Sequence, residues 1–129
     1  MIGIFDSGIG GLTVVRAVMD ALPDHDIVYF GDTARTPYGT KSGRTVVEYS
    51  IQNTEFLIEK GAKSIVMACN TASSVATQTL QDRFDLPIYE VISPAVDLAL
   101  EQTRKNSNGV IGTRATIESG IYEEKIRRR

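Results

Sequence analysis

Two short stretches of this 129-residue chain carry side chains able to move a proton or grip a charged small molecule. One is Asp6-Ser7, a carboxylate beside a hydroxyl; the other is Cys69-Asn70-Thr71, the only cysteine followed by an amide and a hydroxyl. A thiolate is favoured where the next residues open a helix, because the N–H groups and dipole there stabilise negative charge. A carboxylate near such a thiol orients an ammonium group or accepts a proton. Each stretch also has a plainer reading. A lone cysteine after an apolar strand is commonly a small core residue, and Asp6 suits the capping of a turn. Asp32 reads as a turn residue. The sole histidine, His25, precedes a strand and so lies at the opposite edge of a parallel sheet. That placement excludes a Ser-His-Asp set, and no second cysteine or histidine pair offers metal-ligand spacing.

The elements that must position these residues alternate along the chain. Ile2–Phe5 is a short apolar strand ending in Gly8-Ile9-Gly10-Gly11, and Leu12–Leu22 is a helix stopped by Pro23. Asp26–Phe30 forms a second strand, followed by Gly31-Asp32 and a polar loop to Gly39. Ser42–Lys60 reads as a long helix, with Val47, Ile51, Thr54 and Ile58 at helical spacing and Gly61 just past its end. Ser64–Ala68 is a third strand, apolar on both faces as in a parallel sheet covered by helices. Then come helix Ala72–Arg83, strand Pro87–Ile92, helix Ala95–Arg104, a fifth strand Asn108–Gly112 and a final helix Ile117–Arg127. Strand-helix repetition with short links predicts an α/β fold, a doubly wound parallel sheet flanked by helices, of flavodoxin-like type. Ligands of such sheets bind beyond the carboxyl ends of the strands. The polar groups there are Asp6, Ser7, Asp32, Cys69, Asn70, Thr71, Ser93 and Thr113. The glycine-rich turn admits either an anion at a helix start or a tight bend that needs glycine. Thr13 stands where a dinucleotide fingerprint has glycine, and there is no Walker lysine.

Composition narrows the class. Hydrophobic residues make up 42%, charged residues 23%, and the net charge is -2. These values fit a globular domain without a nucleic-acid surface. The run Arg127-Arg128-Arg129 reads as a solvated helix face. No stretch approaches the roughly 18 apolar residues of a membrane span. With no signal peptide in view and one cysteine, a cytoplasmic location is expected.

Taken in order, Phe5-Asp6-Ser7-Gly8-Ile9-Gly10-Gly11-Leu12, Gly31-Asp32 with Pro37-Tyr38-Gly39, Ala68-Cys69-Asn70-Thr71-Ala72, and Gly109–Thr113 with Ala115-Thr116-Ile117 resemble the glutamate racemases of the aspartate/glutamate racemase family. The resemblance runs the whole length of the chain. It implies cofactor-independent interconversion of L- and D-glutamate in the bacterial cytoplasm, supplying D-glutamate for peptidoglycan and so for the cell wall and cell shape. Two cysteines of that family work on opposite faces of the substrate α-carbon. Cys69 matches the one acting on the D-enantiomer. Asp6 and Ser7 match residues that hold the substrate and assist the thiol, and Tyr38, Gly39, Asn70 and Thr71 match further substrate contacts. The resemblance implies glutamate as small-molecule partner and a homodimer for the full-length family, with no metal, nucleic acid or membrane. An aspartate racemase, or a non-catalytic binding module, is the alternative.

The chain also departs from that pattern. Family members are about twice as long, with two similar α/β domains, and the second cysteine lies in a Gly-Cys-Thr-His segment absent here. The expected organisation is an N-terminal half: residues 1–93 as the first part of one α/β domain, and 94–129 as the beginning of a second. Such a chain is expected to be inactive alone and to expose an apolar flank.

Overall fold

The structure, a computed structural model, describes residues 1–104 and 107–129. Four parallel strands form one sheet: β1 (Ile2–Asp6), β2 (Ile27–Gly31), β3 (Ser64–Met67) and β4 (Ile88–Glu90), in the order β2-β1-β3-β4. This is the flavodoxin-like order, whose switch point falls between β1 and β3. β1 is central and buried along its whole length. Asp6 pairs with Gly31, and Phe5 pairs with Met67, so the segments after β1 and β3 leave the sheet side by side.

The connecting helices are α1 (Leu12–Ala21), α2 (Gly43–Glu59), α3 (Asn70–Arg83) and α4 (Ile92–Gln102), followed by α5 (Arg114–Glu118) and α6 (Ile121–Arg127). Ser42 caps α2 by accepting the Thr45 N–H at 3.1 Å. Gly61, at φ +96°, ends the helix in the left-handed conformation that favours glycine. The core joins Phe5, Leu57, Ile65, Met67, Ala72, Ala76 and Leu80 from β1, β3 and the α2 and α3 faces.

Three expectations are corrected. First, Asn108–Gly112 is not a strand. Among the described residues it has no neighbouring strand to bond, and a strand exists only as a pair; Ile111 stands 98% exposed. Second, β4 stops at Glu90, because the Glu90 carboxylate accepts the N–H groups of Ile92 and Ser93 and starts α4 there. Third, Ile117–Arg127 is two helices, parted by Ser119 and by Gly120 at φ +67°. The buried stripe of α2 is also shifted by one residue from the expected one. It comprises Val46, Ser50, Asn53, Thr54 and Leu57, whereas Val47, Ile51 and Ile58 are half-buried.

Candidate active site

The turn after β1 is built around Asp6. Its Oδ2 accepts the N–H of Gly11 at 2.9 Å and of Gly8 at 3.2 Å. The negative charge at the start of α1 is therefore the chain's own carboxylate, and the tight-bend reading of the glycines is the one that fits. Gly11 allows the approach: a Cβ there would lie 2.6 Å from the Cβ of Asp6. Asp6 is 7% exposed, so this carboxylate shapes the turn that carries Ser7.

Ser7 and Cys69 meet across the switch point. The Cys69 thiol donates to Ser7 Oγ at 3.4 Å and accepts the N–H of Ala72 at the same distance. Cys69 is thus the N-cap of α3, in extended backbone conformation, and is buried. The cap places the sulfur at the positive end of a 14-residue helix, where negative charge is stabilised. Asn70 and Thr71 follow as its first residues. Asn70 is exposed and Thr71 is buried.

Beyond Thr71 runs a row of hydroxyls. Thr71 Oγ1 lies 2.9 Å from Thr113 Oγ1, which lies 3.0 Å from Thr116 Oγ1 and accepts the Thr116 N–H, capping α5. Gly39 packs on Thr113; a Cβ there would lie 2.4 Å from the Cβ of Thr113. Asn70 Oδ1 accepts the phenol O–H of Tyr122 at 2.6 Å.

Tyr38 lies differently from its neighbours. Its side chain is 1% exposed, and its hydroxyl donates to Asp32 and accepts from Asn53 Nδ2 at 2.9 Å. Burial, followed by the bond to Asp32, pushes its phenol well above the ordinary tyrosine range. Arg35 closes the network, donating to Asp32 at 2.7 Å, to Asn53 at 2.8 Å and to Gln52, while stacking over the ring of Tyr49 at 4.2 Å. Asp32 therefore does more than turn the chain: it anchors the loop that presents Gly39.

Five of the expected residues, Asp6, Ser7, Cys69, Asn70 and Thr71, collect at one point of the sheet edge. Gly39 joins them through Thr113, whereas the Tyr38 phenol faces the interior network. His25 is exposed at the far edge, before β2. Sequence reasoning missed Arg35, Asn53, Thr116 and Tyr122. Only the Thr113-x-x-Thr116 spacing carried a signal, that of a helix cap. A surface hollow of about 490 Å³ lies between Thr40–Gly43 and Arg114–Ser119, and Cys69 does not line it. Among the described residues, no three or more His, Cys, Asp or Glu side chains stand where they could hold a metal, and no helix is long and apolar enough to cross a membrane.

Comparison with known proteins places this geometry. The Asp/Glu/hydantoin racemase family matches residues 12–129. A glutamate racemase of Aquifex aeolicus is 50% identical over 127 residues, which cover 98% of this chain and 50% of that protein. One of Corynebacterium diphtheriae is 53% identical, covering 95% and 46%. Among solved structures, the glutamate racemase of Aquifex pyrophilus superposes with a TM-score of 0.96 at 49% identity, over 98% of this chain and 50% of that one. The Francisella tularensis enzyme, solved in complex with D-glutamate, gives 0.89 at 46% identity, over 98% and 47%. The chain spans about half the length of the relatives it matches.

Proposed function

Because the chain belongs to the Asp/Glu/hydantoin racemase family, we propose that it is the N-terminal half of a glutamate racemase, with Cys69 as one of two catalytic thiols. The observation that carries this reading is the position of Cys69 at the sheet's switch point, capping α3 and 3.4 Å from Ser7, in a chain half-identical to glutamate racemases over nearly all its length.

In this mechanism the Cys69 thiolate removes the α-proton of D-glutamate. The C–H bond breaks, an S–H bond forms, and the electron pair stays on the α-carbon and its carboxylate. A thiol on the opposite face then delivers its own proton to that carbon, inverting it. Two bases are needed, because one base on one face returns the proton to where it came from. The carbanion is stabilised by positioned donors such as the Ser7 and Thr71 hydroxyls, the Asn70 amide and the N–H groups at the start of α3. Asp6 supports the substrate side of Ser7 through the turn it shapes, and the Tyr38-Gly39 loop supplies a further wall. Residues 1–93 belong to one α/β domain and 94–129 begin a second. No cofactor enters this scheme. The complete enzyme would work as a cytoplasmic homodimer feeding D-glutamate to peptidoglycan.

The chain contains one cysteine, so the 129 residues alone are expected to leave D-glutamate unracemised in a polarimetric assay. Turnover at the rate of a full-length relative would overturn the two-thiol assignment. Substrate identity is read from protection of Cys69 against iodoacetamide. D-Glutamate is expected to protect at lower concentration than D-aspartate; the reverse order would make the chain half of an aspartate racemase, and protection by neither would remove the amino-acid site.

A further inference from the structure

Asn70 follows Cys69 directly, exposed, on the first turn of α3. A carboxamide has two faces: an oxygen that accepts and a nitrogen that donates twice. A substrate carboxylate is served only by the nitrogen, and a freely rotating amide would present the oxygen much of the time, repelling the anion. The structure removes that ambiguity. Tyr122, 52 residues further on, donates its phenol O–H to Asn70 Oδ1 at 2.6 Å, leaving the two N–H bonds of Nδ2 as what Asn70 can offer.

Tyr122 is itself held. It lies on α6, and Lys125, one turn later on the same helix, donates to Ser93 Oγ at 2.7 Å and pairs with Glu90 at 3.4 Å. Glu90 is fixed in turn by the Ser93 hydroxyl and the first N–H groups of α4. Arg129 adds a bond to Asp97 of α4. Burial, with the charge of Glu90 adding to it, raises the phenol of Tyr122 above its ordinary range.

We propose that Tyr122 is a positioning residue of the amino-acid site, its phenol fixing the Asn70 carboxamide so that the amide N–H groups meet the substrate carboxylate. The proposal rests on the amino-acid site inferred above and extends it: a side chain from the segment assigned to the second domain sets a donor belonging to the first.

The test uses the 129-residue chain labelled with ¹⁵N and carries two readouts. In the free protein, the Asn70 Nδ2H₂ signal is expected to be ordered in the wild type and to gain mobility in Tyr122→Phe, with core amide signals unchanged. Lys125→Met, which loosens α6 while keeping the phenol, is expected to give an intermediate result. In the second readout, D-glutamate protects Cys69 from iodoacetamide. Tyr122→Phe is expected to raise the half-protecting concentration about tenfold, as losing an oriented bond to a charged group does, with the rate in the absence of D-glutamate unchanged. An Asn70 amide equally ordered in Tyr122→Phe, or an unchanged protecting concentration, overturns the proposal. A wild-type chain that D-glutamate does not protect refutes the amino-acid site instead, and the amide signal then still decides whether Tyr122 orients Asn70.

Discussion

The Cys69 sulfur stands between two hydrogen-bonding partners of different kinds. The Ala72 N–H can only donate to it, whereas the Ser7 hydroxyl can accept from the thiol or donate to the thiolate. Ser7 therefore serves both protonation states, which suits the proton-transfer role proposed for Cys69. Replacing Ser7 by Ala keeps the N-cap and removes one donor to the thiolate. We expect Ser7→Ala to slow alkylation of Cys69 by iodoacetamide at neutral pH by about 2- to 10-fold, the worth of one net hydrogen bond. An unchanged or faster rate would mean that Ser7 does not support the thiolate. Asp6 acts at one remove, holding the turn that delivers Ser7.

At the scale of elements, the site is a meeting of loops that α2, α3 and α5 hold in register. The loop after β2 is tied to α2 by Asp32, Arg35 and Asn53, and its 3₁₀ turn (Tyr38–Thr40) packs on the start of α5. Gly39 is the closest point of that contact. Gly39→Ala would drive a Cβ into Thr113, whose hydroxyl caps α5 and bonds Thr71. We expect it to destabilise the chain by about 1–3 kcal/mol, the usual range for an overpacked contact, read as a lower urea midpoint. Stability equal to wild type would show that α5 moves freely relative to the turn. Two polar residues in the buried stripe of α2 have partners: Asn53 bonds Tyr38 and Arg35 of that loop, and Ser50 bonds the Val46 carbonyl of its own helix at 2.7 Å, whereas the buried Thr54 hydroxyl has none among the described residues.

At the scale of the whole molecule, several large apolar side chains among the described residues are exposed. They include Leu12 and Met19 of α1, Leu22 just after it, and Val110, Ile111 and Ile117 nearer the other end of the chain. Exposed apolar surface favours association where it is large enough to form a patch. We expect sedimentation velocity to show concentration-dependent self-association, and Met19→Lys with Ile111→Lys to reduce it. A monomer at every concentration would contradict this.

Much of this arrangement was legible in the residues themselves. Strand-helix alternation, apolar β3 and the glycines at helix ends follow from local preferences and periodicity, which are properties of neighbouring residues. The rule that parallel sheets bind ligands at their carboxyl edge then brought Asp6, Ser7, Cys69, Asn70 and Thr71 to one place. What the sequence could not decide depends on partners distant along the chain. Asn108–Gly112 has the composition of a strand, but its backbone lacks the neighbour that makes a strand. Asn53 lies on the buried face of α2, and its partners Tyr38 and Arg35, 15 and 18 residues away, explain it. Tyr122 meets Asn70 across 52 residues. Local sequence determined which elements form and which residues stand at their ends; the tertiary structure alone decided which of those ends touch, because hydrogen bonds between remote groups are set by packing and leave no periodic trace in the chain.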